Sequence, residues 1–228
     1  MIGHFFRVDD VFCKANNFMR KFFFAFMFSM PFLALAQMRI AVRAGINFAS
    51  ISFKEYKPEK RILPRINIGT MIEIPFDENW LLYTGPYYSG KGVIHGRSTS
   101  TNKIDSTTIR LNYIELPLNI AYKFSSENEN RLTIAAGPYL SYGFNGQIST
   151  RNSPQMPVTH LHKKETEKYK RLETGVNLTT LYEIKSRYGI RLDYSRSLFN
   201  IRRFDKQKNN VFGFSFFWYL NKKKETEE

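Results

Sequence analysis

Cysteine is almost absent: the 228 residues hold one, Cys13, close to the N-terminus. A disulfide framework and a thiolate metal site are both excluded by that count. Long apolar runs are missing as well. Beyond residue 37 nothing approaches the ~18 consecutive apolar residues of a membrane-spanning helix, and the mean hydropathy is −0.38. A helical membrane protein is therefore excluded. Acidic residues are scarce, 20 against 34 basic ones, for a formal net charge of +14. Such a surplus first suggests nucleic acid, a partner that the N-terminus argues against.

Residues 19–37, MRKFFFAFMFSMPFLALAQ, have a basic start (Arg20, Lys21), an apolar core from Phe22 to Leu35, and small residues at Ala34 and Ala36. This is the pattern of a secretory signal cleaved after Ala36. Residues 1–18 precede a better start at Met19 and read as a misassigned translation start. Cys13 falls in the removed part, so no cysteine is left to carry a lipid. Residues 1–36 hold Arg7, Lys14, Arg20 and Lys21 against Asp9 and Asp10, which leaves +12 for the exported chain. Export makes nucleic acid a poor partner.

What the chain has is aromatics, with 21 Phe and 13 Tyr, and strict alternation. In residues 110–124, RLNYIELPLNIAYKF, the residues Ile114, Leu116, Leu118, Ile120, Tyr122 and Phe124 share one face. Glu115, Pro117, Asn119, Ala121 and Lys123 share the other. Period two is a strand, and a helix would scatter these residues around its axis. Soluble strands usually run ~5–6 residues, whereas an outer-membrane barrel strand needs ~9–11, apolar toward lipid and polar toward the lumen. Residues 114–124 fit the second length.

The same reading runs along the chain. Residues 38–53 put Ile40, Val42, Ala44, Ile46 and Phe48 outward and Arg39, Arg43 and Asn47 inward. Ile66 to Phe76 follow outward, opposite Arg65, Asn67, Met71 and Glu73, and a tight turn spans Asp77 to Asn79. In residues 80–92 the outward set is Trp80, Leu82, Thr84, Pro86 and Tyr88. The fifth strand turns Leu132 to Phe144 outward, and its Pro138 predicts a bulge. The sixth carries Glu173, Asn177 and Glu183 inward, the seventh Arg191 and Asp193. The last turns Phe212, Phe214, Phe216, Trp218 and Leu220 to lipid. Short connections at Asp77, Ser125 and Lys185 alternate with long loops over residues 54–61, 96–106, 149–170 and 202–208, as periplasmic turns alternate with extracellular loops. The predicted architecture is all-β: an eight-stranded antiparallel transmembrane β-barrel, an up-and-down meander over residues 37–221, with a charged periplasmic tail over 222–228.

Gly45-Ile46-Asn47, Tyr88-Ser89-Gly90-Lys91-Gly92, Tyr113-Ile114-Glu115-Leu116-Pro117-Leu118 and Gly137-Pro138-Tyr139 together resemble the small PorT-like outer-membrane β-barrel proteins of the Bacteroidota. The Tyr-x-Glu-x-Pro-Leu element is the most specific. The resemblance implies an outer-membrane location and an eight-stranded barrel, and it implies little about activity, the name coming from a member involved in protein secretion. Gly85 departs from it, standing where relatives often have a lumen Glu. So does NKKKETEE after Trp218 and Tyr219, where such barrels usually end on an aromatic residue.

Arg43, Arg65, Glu73, Glu115, Glu173, Arg191 and Asp193 are the predicted lumen network. A ring of about eight strands leaves an interior just wide enough for side chains, and isolated charges there are costly unless paired. A structural salt-bridge filling is the first expectation, and a small pore or proton-active path the alternative. The expected role is structural or interactive in the cell envelope, in the secretion-related sense of the resemblance, and not enzymatic. A lipid-A-modifying or peptide-cleaving barrel would need a rim site, for which His95, His160 and His162 have no accompanying nucleophile motif. His160 and His162 could chelate a metal from an extended segment but have no third ligand, so no metal and no cofactor is expected. The four long loops carry a net +9, from fifteen basic against six acidic residues. That charge predicts salt-sensitive association with outer-membrane lipid and lipopolysaccharide, mainly through Arg202, Arg203, Lys206 and Lys208.

Overall fold

A computed structural model describes residues 38–54, 59–98, 104–125, 130–151, 159–160, 169–202 and 206–221. The predicted signal over 1–36, the tail over 222–228, His162 and Arg203 lie outside the described residues, as does the side chain of His160. Twelve strand segments follow one another: β1 (Arg39–Phe53), β2 (Glu59–Arg61), β3 (Leu63–Pro75), β4 (Trp80–Thr84), β5 (Tyr87–Ser98), β6 (Ile104–Pro117), β7 (Asn119–Ser125), β8 (Arg131–Arg151), β9 (Thr159–His160), β10 (Leu172–Ile184), β11 (Tyr188–Ser197) and β12 (Gln207–Tyr219).

These make an antiparallel ring of eight staves, with β2 and β3, β4 and β5, and β6 and β7 each sharing one stave. The ring closes where β1 pairs with β12, from Ala41 opposite Tyr219 to Phe53 opposite Gln207. Closure matters because lipid offers no hydrogen bonds to an open edge, so every backbone N–H and C=O must be paired within the sheet. The alternation then sorts the side chains. Ile46, Ile66, Ile114, Ile120, Leu178 and Phe216 are exposed on the outer wall. Arg39, Arg43, Glu73, Glu115, Asn177 and Ser215, of opposite parity, are buried within.

Three irregularities have local causes. The third stave breaks at Gly85-Pro86, where Gly85 has φ +123° and a side chain would put its Cβ 2.9 Å from the Thr70 carbonyl oxygen. A Glu at position 85 would meet both obstacles, which accounts for the glycine there. The fourth stave breaks at Leu118 opposite Pro138. The Leu118 N–H donates to the Pro138 oxygen at 2.9 Å, but proline has no N–H to return the bond. The bulge predicted at Pro138 lies elsewhere, between Asn112 and Tyr113, which face Asn145 and Gly143. The proline costs one ladder bond without inserting a residue.

The long-loop end also differs from expectation. Strands enter the predicted loops over 54–61, 96–106 and 149–170: β2 pairs with β5, β5 and β6 stay paired up to Ser98 opposite Ile104, and β9 adds to β8 at Gln147 and Ile148. Lys208, read as loop, sits in β12 opposite Ser52. Polar residues change which solvent a face meets, not whether a β-branched run such as Thr107-Thr108-Ile109 can pair. At the opposite end Lys185 and Ser186, both at φ 50°, are the central residues of the tight turn between β10 and β11, closed by the Arg187 N–H donating to the Ile184 oxygen at 3.2 Å.

Gly92 combines φ +142° with a Cβ position 2.0 Å from the Ile109 carbonyl oxygen. Gly92→Ala is expected to cost about 1–3 kcal/mol, read as a lower urea midpoint of the barrel in vesicles. Gly213→Ala, whose nearest neighbour would be the Asn47 amide oxygen at 3.1 Å, is expected to cost less. Equal midpoints for the two variants would contradict this account of Gly92.

Candidate functional site: the charged lumen

The inward residues of the staves meet in three charged groups. At the short-turn end, Glu73 accepts two bonds from Arg131, at 3.0 and 2.6 Å, and one each from the Tyr83 hydroxyl at 2.9 Å and the Tyr219 hydroxyl at 2.6 Å. Arg39 forks onto Glu183 at 2.6 and 3.3 Å, lies 3.5 Å from Glu73, and stacks 3.6 Å above the Tyr219 ring. Arg131 also pairs with Glu183. Two guanidiniums and two carboxylates are thus joined in one neutral cluster by the planar, bidentate geometry that arginine favours.

Above it, past a layer that includes Ala41, Met71, Leu181 and Phe217, Arg191 Nε donates to both oxygens of Asp193 at 2.9 Å. Thr179 donates to Asp193 at 2.7 Å. Arg43 lies 3.5 Å from Asp193 and packs its guanidinium 3.5 Å over the Tyr87 ring. This group has two cations and one anion. The third group is its complement: Lys91 Nζ lies 2.7 Å from Glu115 and 2.9 Å from Glu173. Ser141 donates to Glu115 at 2.8 Å, and Tyr139, Ser197 and Asn209 donate to Glu173 at 2.8, 2.9 and 2.7 Å. Tyr87 joins the two groups, its ring under Arg43 and its hydroxyl donating to Glu115. Arg39, Arg43, Lys91, Arg131 and Arg191 therefore balance Glu73, Glu115, Glu173, Glu183 and Asp193.

Of the predicted network, Arg43, Glu73, Glu115, Glu173, Arg191 and Asp193 all enter these groups. Arg65 does not. It donates to Asn112 at 2.5 Å and to Tyr88 at 3.4 Å, residues on the lipid-facing parity. Its side chain runs across Gly90, whose missing Cβ would lie 2.8 Å from Arg65 Cβ. The seven-residue network omitted Arg39 and Glu183, although both were read as inward, and sequence reasoning left out Lys91 and Arg131. Parity alone marks Lys91, two residues beyond Ser89 and four beyond Tyr87 on the inward face. Arg131 likewise shares the face of Thr133 and Ala135. Glu115 is held by Lys91.

Above the charges, Ile51, Val93, Ile109, Leu111, Tyr113, Tyr169 and Ile201 form an apolar layer. At the rim, Arg202 lies half-buried with its guanidinium 5.6 Å over Tyr169, Lys206 is exposed, and Lys208 is half-buried. His95 packs edge-on against Phe53 at 5.6 Å. Among the described residues no three His, Cys, Asp or Glu side chains gather as metal ligands would.

The model of a family described as outer membrane protein beta-barrel domain matches residues 17–203. The chain belongs to that family. It is thus a barrel of the cell outer membrane. Similar solved structures include Ail, the attachment invasion locus protein of Yersinia pestis, at 11% identity and TM-score 0.45, with 81% of this chain and 99% of that chain covered. Neisserial surface protein A follows at 10% identity and TM-score 0.44, covering 78% and 96%. OprG of Pseudomonas aeruginosa stands at 9% and 0.38, covering 81% and 94%. No curated protein matches the chain.

For an outer-membrane barrel with this lumen, removing the single cation of the third group should be the costliest change. Lys91→Met leaves Glu115 and Glu173 facing each other and is expected to cost about 3–5 kcal/mol. Glu115→Leu leaves Lys91 with Glu173 and should cost less. Urea unfolding in vesicles measures both, and the reverse order would contradict the assigned pairing.

Proposed function

We propose that this barrel is closed to solutes and acts through its surface, in a structural or interaction role in the cell envelope. One observation carries the reading: Lys91, Glu115, Ser141 and Ser215 are each 0% exposed in the middle of the lumen. A permeation path needs wet side chains, whereas here carboxylates, ammonium and hydroxyls spend their hydrogen-bonding capacity on one another. The PorT-like resemblance supports a secretion-related role for that surface. We take the role to be non-enzymatic, with His95 engaged edge-on against the Phe53 ring. Outer-leaflet lipid and lipopolysaccharide are the proposed surface partners, favoured by the basic long-loop end, which we assign to the cell exterior.

Conductance in planar bilayers tests the closed lumen. The wild-type barrel is expected to give no steady unitary currents. Stable ohmic channels from the purified, folded protein would favour the pore instead.

A further inference from the structure

A cleft of about 560 Å³ opens where β11, β12 and β1 rise out of the apolar belt, lined by Ser52, Lys54, Arg196, Asn200, Lys206 and Lys208 beside Phe53. All four cations have the outward parity of their staves. The strand register fixes their height. Tyr194, Phe212 and Phe48 stand side by side in one row, and Arg196, Asn210 and Ser50 form the next row out. Lys208 and Ser52 follow, and beyond them the Lys54 N–H donates to the Lys206 oxygen at 3.1 Å. Each step of two residues is roughly 7 Å along a strand. Asn210 donates to Ser52 at 2.6 Å and braces the wall.

Among the described residues none of the four cations has a carboxylate partner, and the cleft lining includes no acid. This contrasts with the lumen, where every anion is matched. Beside the cleft, Leu198 and Phe199 are 49% and 67% exposed. Unpaired cations one step above an aromatic row, with apolar side chains next to them, fit an amphiphile better than a soluble anion.

We propose that this cleft seats the phosphate of a phosphorylated glycolipid of the outer leaflet, with Arg196 and Lys208 as the principal contacts and Lys54 and Lys206 closing over it. The proposal rests on the assignment of the long-loop end to the cell exterior and on outer-leaflet association. It moves the contact from the Arg202–Lys208 loop to a site shared by three staves.

The test is binding of fluorescent bis-phosphorylated lipid A, and of lipid A stripped of its phosphates, to the folded barrel in phosphatidylcholine vesicles at low salt. The wild type should prefer the phosphorylated form. Arg196→Gln with Lys208→Gln should weaken that binding by about tenfold or more, and added salt should weaken the wild type likewise. The control pair Lys185→Gln with Arg187→Gln removes the same charge at the opposite end and should bind as the wild type does. A phosphate-dependent wild type with an unchanged Arg196/Lys208 pair would overturn the cleft and leave outer-leaflet association standing. No phosphate preference in the wild type would overturn both. Displacement by inorganic phosphate at concentrations similar to the lipid would mark a free-anion site and overturn the lipid assignment.

Discussion

The rest of the structure depends on one constraint, that charges enclosed by a narrow ring must cancel. Taking a carboxylate or guanidinium out of water costs several kcal/mol after relaxation, and only well-made pairs repay it. Among the described residues the three lumen groups hold ten ionised side chains, five of each sign. The cancellation is not local everywhere. The Arg43, Arg191 and Asp193 group is one positive charge in excess, and the Lys91, Glu115 and Glu173 group is one negative. Tyr87, stacked beneath Arg43 and donating to Glu115, sits where the two imbalances meet. The lumen is best understood as one electrostatic unit, which makes single charge deletions costly wherever they fall.

The outer wall obeys the opposite rule. Between its aromatic margins, with Trp80, Tyr122 and Trp218 toward the short turns and Phe48, Tyr194 and Phe212 toward the long-loop end, the lipid-facing parity is dominated by apolar side chains. Arg187 stacks over Trp218 at 5.0 Å, the arrangement of a cation anchored at a membrane boundary. Past the other margin Lys54, Arg196, Lys206 and Lys208 collect on the wall, with no carboxylate partner among the described residues. Charge is thus paired within the lumen and, among the described residues, left without carboxylate partners on the outer wall beyond the long-loop margin.

Parity was legible along most of the staves, because a wrong-facing residue would have placed an isoleucine in the lumen or a glutamate in lipid, and it was least distinct over residues 80–92, where large side chains fall on both faces. Ile114 to Phe124, Ile40 to Phe48 and Phe212 to Trp218 determine the sheet's faces from sequence alone. Partner choice across the lumen was not legible. Which cation meets Glu115 depends on barrel stagger and on side-chain reach, and neither is written in a two-residue period. Arg65 eluded the pattern because the glycines at 90 and 92 disturb the β3–β5 ladder and free its side chain to turn toward Asn112. The strands beyond the belt eluded it too, since Gly96, Ser106 and Ser149 read as loop by polarity and as strand only once their neighbours are in place.

The central claim is that the lumen is dry and paired, and thiol accessibility tests it most directly. With Cys13 removed together with the signal or replaced, Ser141→Cys places a single thiol beside Glu115, at a position 0% exposed in the native protein. A charged methanethiosulfonate should label it only after urea unfolding, while Ser50→Cys on the outer wall above the aromatic margin should label in the folded barrel. Rapid modification of Cys at position 141 in the folded barrel would mean that water and ions reach the middle of the lumen, and the charge plug would be wrong.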